Sequence, residues 1–542
     1  MPDGVSKCIL LLMLFLFPFA LSFLADFEGI PCQSISLDSE PEKQGILAGT
    51  PHGPIAIDGD ANFSDTALLE GWLGDGSPED PFIIDGLDID LGGGFGHCIM
   101  ISNTRVSFTI SNCNLTGANV TYIIPGLGTL FQGTGIYLQN VSNGELIDNT
   151  CNSNTGRGIY IEDSSYNRLA NNTCNSNERF GIYLSVRSDI NTVVNNTCIN
   201  NAYGICLSES SDTNTVANNT CNSNDNLGIY LRDSEFNIVT DNTCSNNTWN
   251  GIELESSYSN TVDNNMCTSN ERGIYLVDSY SNNIENNTCI SNIDGIDLYY
   301  SNSNTLVNNT CNFNRDGISL DYSHENSVEN NPCASNIDGI SLSDSDSNTV
   351  ANNICSSNGI GIFLYNSISN IVTNNACNRN DESGICLEGS ESNNVISNTC
   401  SNNAEYGIHL FDSHQNNATD NICNNNRIGI YLCFSENNTL THNTCLSNIE
   451  HDIYLDRSES NTVVDNITSE FYSRLLLIGG SLLLLPLGIV VYVSRRRMGL
   501  PKGDKYDIAV PVRYRLVSWL RKRRSLKHEE VDDHFEPDSS DQ

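Results

Sequence analysis

Four carboxylates in the middle of the chain fall where they could act together. Asp294, Asp316 and Asp338 are 22 residues apart, and Asp297 follows the first by three. If the backbone stacks those steps at a strand spacing of ~5 Å, the like charges repel. A hard cation such as Ca2+ would relieve that repulsion through carboxylate oxygens, and a solvated acidic corner is the plainer alternative. The same carboxylates could flank a sugar bond, but their spacing does not separate an acid from a nucleophile. A second set is aromatic: Tyr137, Tyr160, Tyr183 and Tyr230 recur at 23, 23 and 47 residues. An exposed stripe of rings can stack on sugar faces, whereas rings of high strand propensity can equally pack on one another. The third set is sulfur. Cys151, Cys174, Cys198, Cys221, Cys244, Cys267, Cys289, Cys311, Cys333, Cys355, Cys377, Cys400, Cys423 and Cys445 recur at steps of 22 to 24. Small thiols suit an inward corner, stacked neighbours would lie within disulfide range, and a thiolate file could take soft metal ions. His409, His414, His442 and His451 fall close together in sequence. Copper or zinc ligation there competes with scattered surface positions.

A repeat must position these residues. Gly-Ile recurs at Gly135, Gly158, Gly181, Gly204, Gly228, Gly251, Gly273, Gly295, Gly317, Gly339, Gly361, Gly384, Gly407 and Gly429, and Asp452-Ile-Tyr-Leu stands for a fifteenth, degenerate copy. The consensus is G-I-x-L-x-x-S-x-x-N-x-V-x-N-N-x-C-x-x-N-x-x. Each copy holds only short apolar alternations between Asn, Ser, Asp and Gly, so strands of three to five residues are predicted and no segment reads as a ten-residue helix. One Ile, one Leu, one Val and one Cys per unit bury too little to fold alone, but stacking each on its equivalent in the next copy encloses them. The fold class is therefore all-β, a right-handed parallel β-helix of 22–24-residue coils. The Leu-x-x-Leu-x-Leu frame of a leucine-rich repeat is absent, and a propeller blade needs nearly twice the period. Fifteen coils at ~4.8 Å make a rod of about 70 Å.

In Gly-Ile-x-Leu the Ile and Leu point inward, so x forms an outward column that includes the four tyrosines, Glu253, Asp297 and His409. Asn191, Asn214, Asn237, Asn260, Asn304, Asn326, Asn348, Asn370 and Asn461 share another column. Asn tolerates left-handed corners, and stacked amides can supply partners to buried turn backbone. Gly before Ile fits a corner where a Cβ would crowd the next coil.

The 542 residues carry 66 Asp+Glu against 26 Lys+Arg, a formal charge of -40 that excludes nucleic acid as a partner. Residues 1–22 read as a signal peptide, on an apolar run at 9–21 behind Lys7, with an uncleaved anchor as the alternative. Residues 23–79 form an N-terminal cap segment, 80–134 irregular first coils, 135–468 the regular repeats and 469–474 a juxtamembrane linker. Residues 475–493 are free of charge and are followed by Arg495, Arg496 and Arg497. They read as a transmembrane helix with residues 494–542 in the cytoplasm, a tail first basic and then acidic and partly disordered. This makes a single-pass surface protein whose partners are the membrane and, beyond it, glycans or other surface proteins. Asn-Asn-Thr sequons at Asn171, Asn195, Asn218, Asn286 and Asn308 offer glycan acceptors, although the repeat's own Asn-rich turn generates them.

The iterated Gly-Ile-Tyr-Leu, Asn-Thr-Val and Asn-Asn-Thr-Cys segments resemble the parallel β-helix repeats of carbohydrate-binding and sugar-hydrolase domains, and more closely the NosD-type domain. The likeness covers roughly residues 80–468. The head, with His52-Gly-Pro-Ile, Gly71-Trp-Leu-Gly-Asp-Gly-Ser and Pro81-Phe-Ile-Ile-Asp-Gly-Leu, is similar to the opening of archaeal surface proteins of this type. The resemblance implies a surface protein of structural, adhesive or carbohydrate-binding role, or alternatively a tethered polysaccharide lyase, epimerase or hydrolase. The NosD label implies copper, for which no Cys/His/Met cluster is visible.

Overall fold

The Gly-Ile-x-Leu segments organise the molecule because their two inward side chains meet their own kind one coil on. This computed structural model describes residues 49–119 and 133–469, together with the strand pair Ile123–Ile124 and Gly128–Thr129. The signal peptide and membrane span read at 1–22 and 475–493 lie outside the described residues. Among the described residues no helix is long and apolar enough to cross a membrane. The first sheet, the GIxL sheet, runs from Ile55–Asp58 through His97–Thr104 and Thr134–Val141 to His451–Asp456, with one strand per coil and seventeen in all. Its strands are parallel and in register, as in Ile229↔Ile252↔Ile274↔Ile296. A second parallel sheet stacks the Asn-x-Val segments, from Phe82–Asp85 to Thr462–Val464. A third, shorter sheet carries Cys244↔Cys267↔Cys289↔Cys311 and shrinks elsewhere to single bridges such as Thr150↔Thr173↔Thr197. Parallel strands joined by crossovers this short wind in the right-handed sense. Ile, Leu, Val and Cys from the three sheets close one continuous core along the stack.

Corner chemistry is divided differently from the expectation. The Asn191 column is a buried ladder, but the left-handed residues are the ones just before it, Ile190, Thr213, Phe236 and Ser259, at φ 56–60°. That residue turns the chain and points its own side chain at solvent, which is why Ile190 and Phe236 are exposed. The following Asn is left with its amide inside. Two further Asn files run parallel to it. In one of them Asn196 Oδ1 accepts the Asn172 backbone N–H at 2.9 Å, and Asn196 Nδ2 donates to Leu169 O at 3.0 Å. Each amide thus ties two coils and satisfies corner backbone that has no sheet partner.

The Gly column is explained by the same stacking. A Cβ at Gly295 would lie 2.4 Å from the Gly317 carbonyl oxygen. In the fifteenth copy no regular coil follows, and there Asp452 replaces Gly, its carboxylate accepting Ser469 N–H at 2.7 Å and Asn448 Nδ2 at 2.9 Å.

One helix was not anticipated. Asp60–Glu70 lies between Gly59 and a left-handed Gly71, and it inserts Phe63 against Phe82 and Phe108, with ring centroids 5.1 and 5.3 Å apart. It has almost no amphipathic signature, with Leu68 and Leu69 exposed, so periodicity could not reveal it.

Candidate functional site on the GIxL face

The six-residue GIxL strands present three outward columns: the residue before Gly, the x residue, and the residue after Leu. The register places Tyr137, Tyr160, Tyr183, Cys206, Tyr230, Glu253, Tyr275 and Asp297 in one x file. Asp294, Asp316 and Asp338 stack in the file before Gly, with Asn250 and Arg272 directly ahead of them.

The aromatic end is a column of rings seated on one another. Tyr137–Tyr160 and Tyr160–Tyr183 stack with centroids 4.9 and 5.2 Å apart and planes within 10°, and the Arg157 guanidinium lies 4.2 Å from the Tyr160 ring. Their hydroxyls reach the column after Leu one coil on: Tyr160 to Ser185 at 3.0 Å, Tyr183 to Ser208 at 2.7 Å, and Tyr137 and Tyr230 to Glu162 and Glu255. The Tyr160 ring has both faces covered, so what this stretch offers a ligand is ring edges.

The charged centre carries chemistry that inspection of the x column alone missed. Arg272 Nε donates to Asp297 Oδ2 at 2.8 Å, and its guanidinium lies 4.4 Å above the Tyr275 ring. Arg315 Nη2 donates to both oxygens of Asp294 at 2.8 Å, and its Nε lies 3.6 Å from Asp316. Part of the carboxylate repulsion expected to recruit a cation is therefore met by two guanidiniums. Glu253 Oε2 accepts Asn250 Nδ2 at 2.7 Å, and burial beside Glu255 raises its carboxyl to about 7. On this stretch Glu253, Glu255, Glu271, Asp294, Asp297, Asp316 and Asp338 outnumber Arg232, Arg272 and Arg315, so its formal charge is negative. The signal for Arg272 was an offset of 25 residues, from the position before Gly in one coil to x in the next, which a search along single columns does not sample.

The histidines do not converge. His409 lies in the x file, stacked on Tyr431 at 5.1 Å with Cys386 Sγ 3.8 Å from its Nδ1, and burial lowers it to about 4. His451 stacks on Tyr454 two coils on, and His414 Nδ1 accepts the Glu436 N–H at a corner. The fourteen file cysteines are inward, fully buried and free. The sequon asparagines Asn171, Asn195, Asn218, Asn286 and Asn308 are exposed at positive φ, while the second Asn of each triplet is a buried ladder residue.

Stacked coils with one chemically varied sheet face define a parallel β-helix protein. The chain belongs to the family described as periplasmic copper-binding protein (NosD), whose model matches residues 109–294, 284–406 and 397–474. No curated protein matches the chain. Among solved structures it is similar to the A-module of the Azotobacter vinelandii mannuronan C-5 epimerase AlgE6, at 13% identity over 69% of this chain and 91% of that one, with a TM-score of 0.35. It is also similar to the Dettilon tailspike protein gp208, at 14% over 53% and 62% with a TM-score of 0.39. A double mutant of the periplasmic alginate epimerase AlgG matches at 13% over 67% and 85%, with a TM-score of 0.34. Likeness at this level bears on neither substrate nor mechanism.

The copper of the family description does not fit the donors present. Among the described residues no group of three or more His, Cys, Asp or Glu side chains is arranged to hold a metal. The outward soft donors Cys386 and His409 make a pair, not a set. The interior thiols are fully buried, with no solvent path by which an ion would reach them.

Proposed function

We propose that the chain is a tethered, extracytoplasmic β-helix that binds polysaccharide along its GIxL face. The observation that supports this reading most is the concentration of chemistry on that one face. The corners are filled by repeating Asn and Ser ladders, whereas the GIxL face changes from rings to an acid and guanidinium centre within a few coils. An extended chain lying along the helix axis would meet both. The apolar segment at 475–493 supplies the tether, with the β-helix outside the membrane and the basic tail inside. Tyr137, Tyr160, Tyr183 and Tyr230 serve as an edge-on rim, and the polar contacts come from Asn250, Glu253, Arg272 and Tyr275. Calcium at Asp294, Asp297, Asp316 and Asp338 is a second reading that their stacking favours, and the guanidiniums of Arg272 and Arg315 compete with it. The test is binding of the detergent-solubilised full chain to a panel of immobilised neutral and acidic polysaccharides. Retention on at least one, weakened about tenfold or more by Arg272→Ala, is expected; no retention on any would overturn the proposal.

A further inference from the structure

We propose that two copies of this chain pair antiparallel along one corner of the β-helix, about a two-fold axis that passes at Ile293. The corner is the position two residues before the Gly of Gly-Ile-x-Leu. Backbone hydrogen bonds string Trp249, Glu271, Ile293, Arg315 and Ile337 into one file there. Glu271 N–H donates to Trp249 O at 2.6 Å, Ile293 to Glu271 at 2.8 Å, Arg315 to Ile293 at 2.6 Å and Ile337 to Arg315 at 2.7 Å. Trp249, Ile293 and Ile337 are 46, 47 and 53% exposed. Elsewhere in the repeat the position holds Gly, Ala, Asn or a charged residue, as suits a solvated corner. One exposed apolar side chain needs no partner. Three in five successive coils, with Phe313 exposed two residues ahead of Arg315, make a patch of the kind that marks a protein contact.

Charge selects the occupant and its direction. Glu271 lies one coil before Ile293 and Arg315 one coil after it. A two-fold axis across the file at Ile293 therefore sets Glu271 against the partner's Arg315, Trp249 against the partner's Ile337, and Ile293 against its own equivalent. Parallel copies side by side would face each of these charges with itself, which repels. The match continues outward: Arg179 is five coils before Ile293 and Glu405 five coils after, so the same axis joins a second pair of opposite charges. Between them Asn226 meets Gly359 and Ala202 meets Glu382, and no like charges meet in the eleven coils.

Both central charges are within reach of a partner. Glu271 and Arg315 are partly exposed. Glu271 uses Oε1 on Arg272 at 3.4 Å, and Arg315 uses Nη2 on Asp294 and Nε on Asp316, so Oε2 and Nη1 remain for the second copy. Ten steps of ~4.8 Å give a contact line of about 48 Å, one or two side chains wide. That is at the small end of stable interfaces, so pairing in the micromolar range is expected.

The pair does not depend on the tether, but its placement rests on the tethered reading above. With the membrane at the C-terminal end of each β-helix, antiparallel copies belong to two apposed surfaces and the pair is a homophilic contact between them.

The test uses the full chain in detergent. The described native cysteines are buried, so a short bismaleimide should reach an introduced surface thiol, with the unsubstituted chain as control. Differently tagged Trp249→Cys and Ile337→Cys chains are mixed and cross-linked. Expected are cross-links joining the two variants in excess of those joining like with like. Sedimentation should show a monomer–dimer equilibrium whose midpoint concentration Ile293→Asp raises about tenfold or more, with Tm unchanged. In phosphatidylcholine vesicles the chain should cluster them, and Ile293→Asp should disperse them. Cross-links of like with like overturn the antiparallel direction, and a monomer up to about 100 µM with no cross-links overturns the pair. Mixed cross-links with vesicles that carry the chain yet stay dispersed overturn the apposed placement alone. A chain that does not float with vesicles overturns the tether and leaves the pair standing.

Discussion

Glu253 departs furthest from the chemistry of its repeat position, because a column built of rings and small polar groups holds there a carboxyl that resists ionisation. Its pKa is raised from an ordinary 4.5 to about 7 by burial. The folded state therefore binds the proton more tightly than the unfolded chain, and the stability this contributes is full below about 4.5 and is lost as pH rises through about 7. Glu253→Gln should remove that dependence. In urea titrations the variant is expected to gain roughly 1–2 kcal/mol on wild type between pH 5 and pH 8, a figure reduced for the partial exposure of the group. An unchanged difference at the two pH values would contradict the assignment. Arg272 is the complementary case. Arg272→Ala removes the guanidinium paired with the Asp297 carboxylate and uncovers Tyr275, so a loss of about 3 kcal/mol is expected from the same titration, with Arg272→Lys recovering part of it.

At the scale of the coil, stacking identical positions sets the tolerance for change. Gly295→Ala would drive a Cβ to 2.4 Å from the Gly317 oxygen and 2.9 Å from Asn314 Nδ2, both fixed by their own ladders. A loss of about 1–3 kcal/mol is expected from thermal or urea unfolding. An alanine at Asn309 would orphan two backbone groups of the preceding coil, since Asn309 Oδ1 accepts Asn287 N–H at 3.0 Å and its Nδ2 donates to Ile284 O at 2.8 Å. The coil architecture was legible in the sequence because each column repeats a residue type chosen by stacking: Gly, Ile, Leu, Val and Cys appear where the sheets need them. The helix at Asp60–Glu70 was not, because it occurs once and is held by Phe63 rather than by a periodic face. Nor was the Arg272–Asp297 pair, which joins two columns across a coil boundary. The acidic file from Asp294 to Asp338 was visible, but its guanidinium partners were not.

For the whole molecule, the sealed interior governs the sulfur chemistry. All nineteen described cysteines are free, and the fourteen of the file are closed to solvent. Unreduced protein opened in denaturant should therefore titrate all nineteen of these thiols. Purified protein incubated with cuprous ion and then desalted should retain well under one copper per chain, since the face offers two soft donors in contact and no third. The central claim is that the GIxL face, and no other surface, receives the glycan. The most direct measurement is a crystal structure of the protein with an oligosaccharide drawn from the polysaccharide it retains best. The account predicts sugar density across Asn250–Glu255, Arg272–Val277 and Asp294–Tyr299, aligned with the helix axis. Density on the Asn-x-Val or cysteine sheet, with the GIxL face bare, would contradict it.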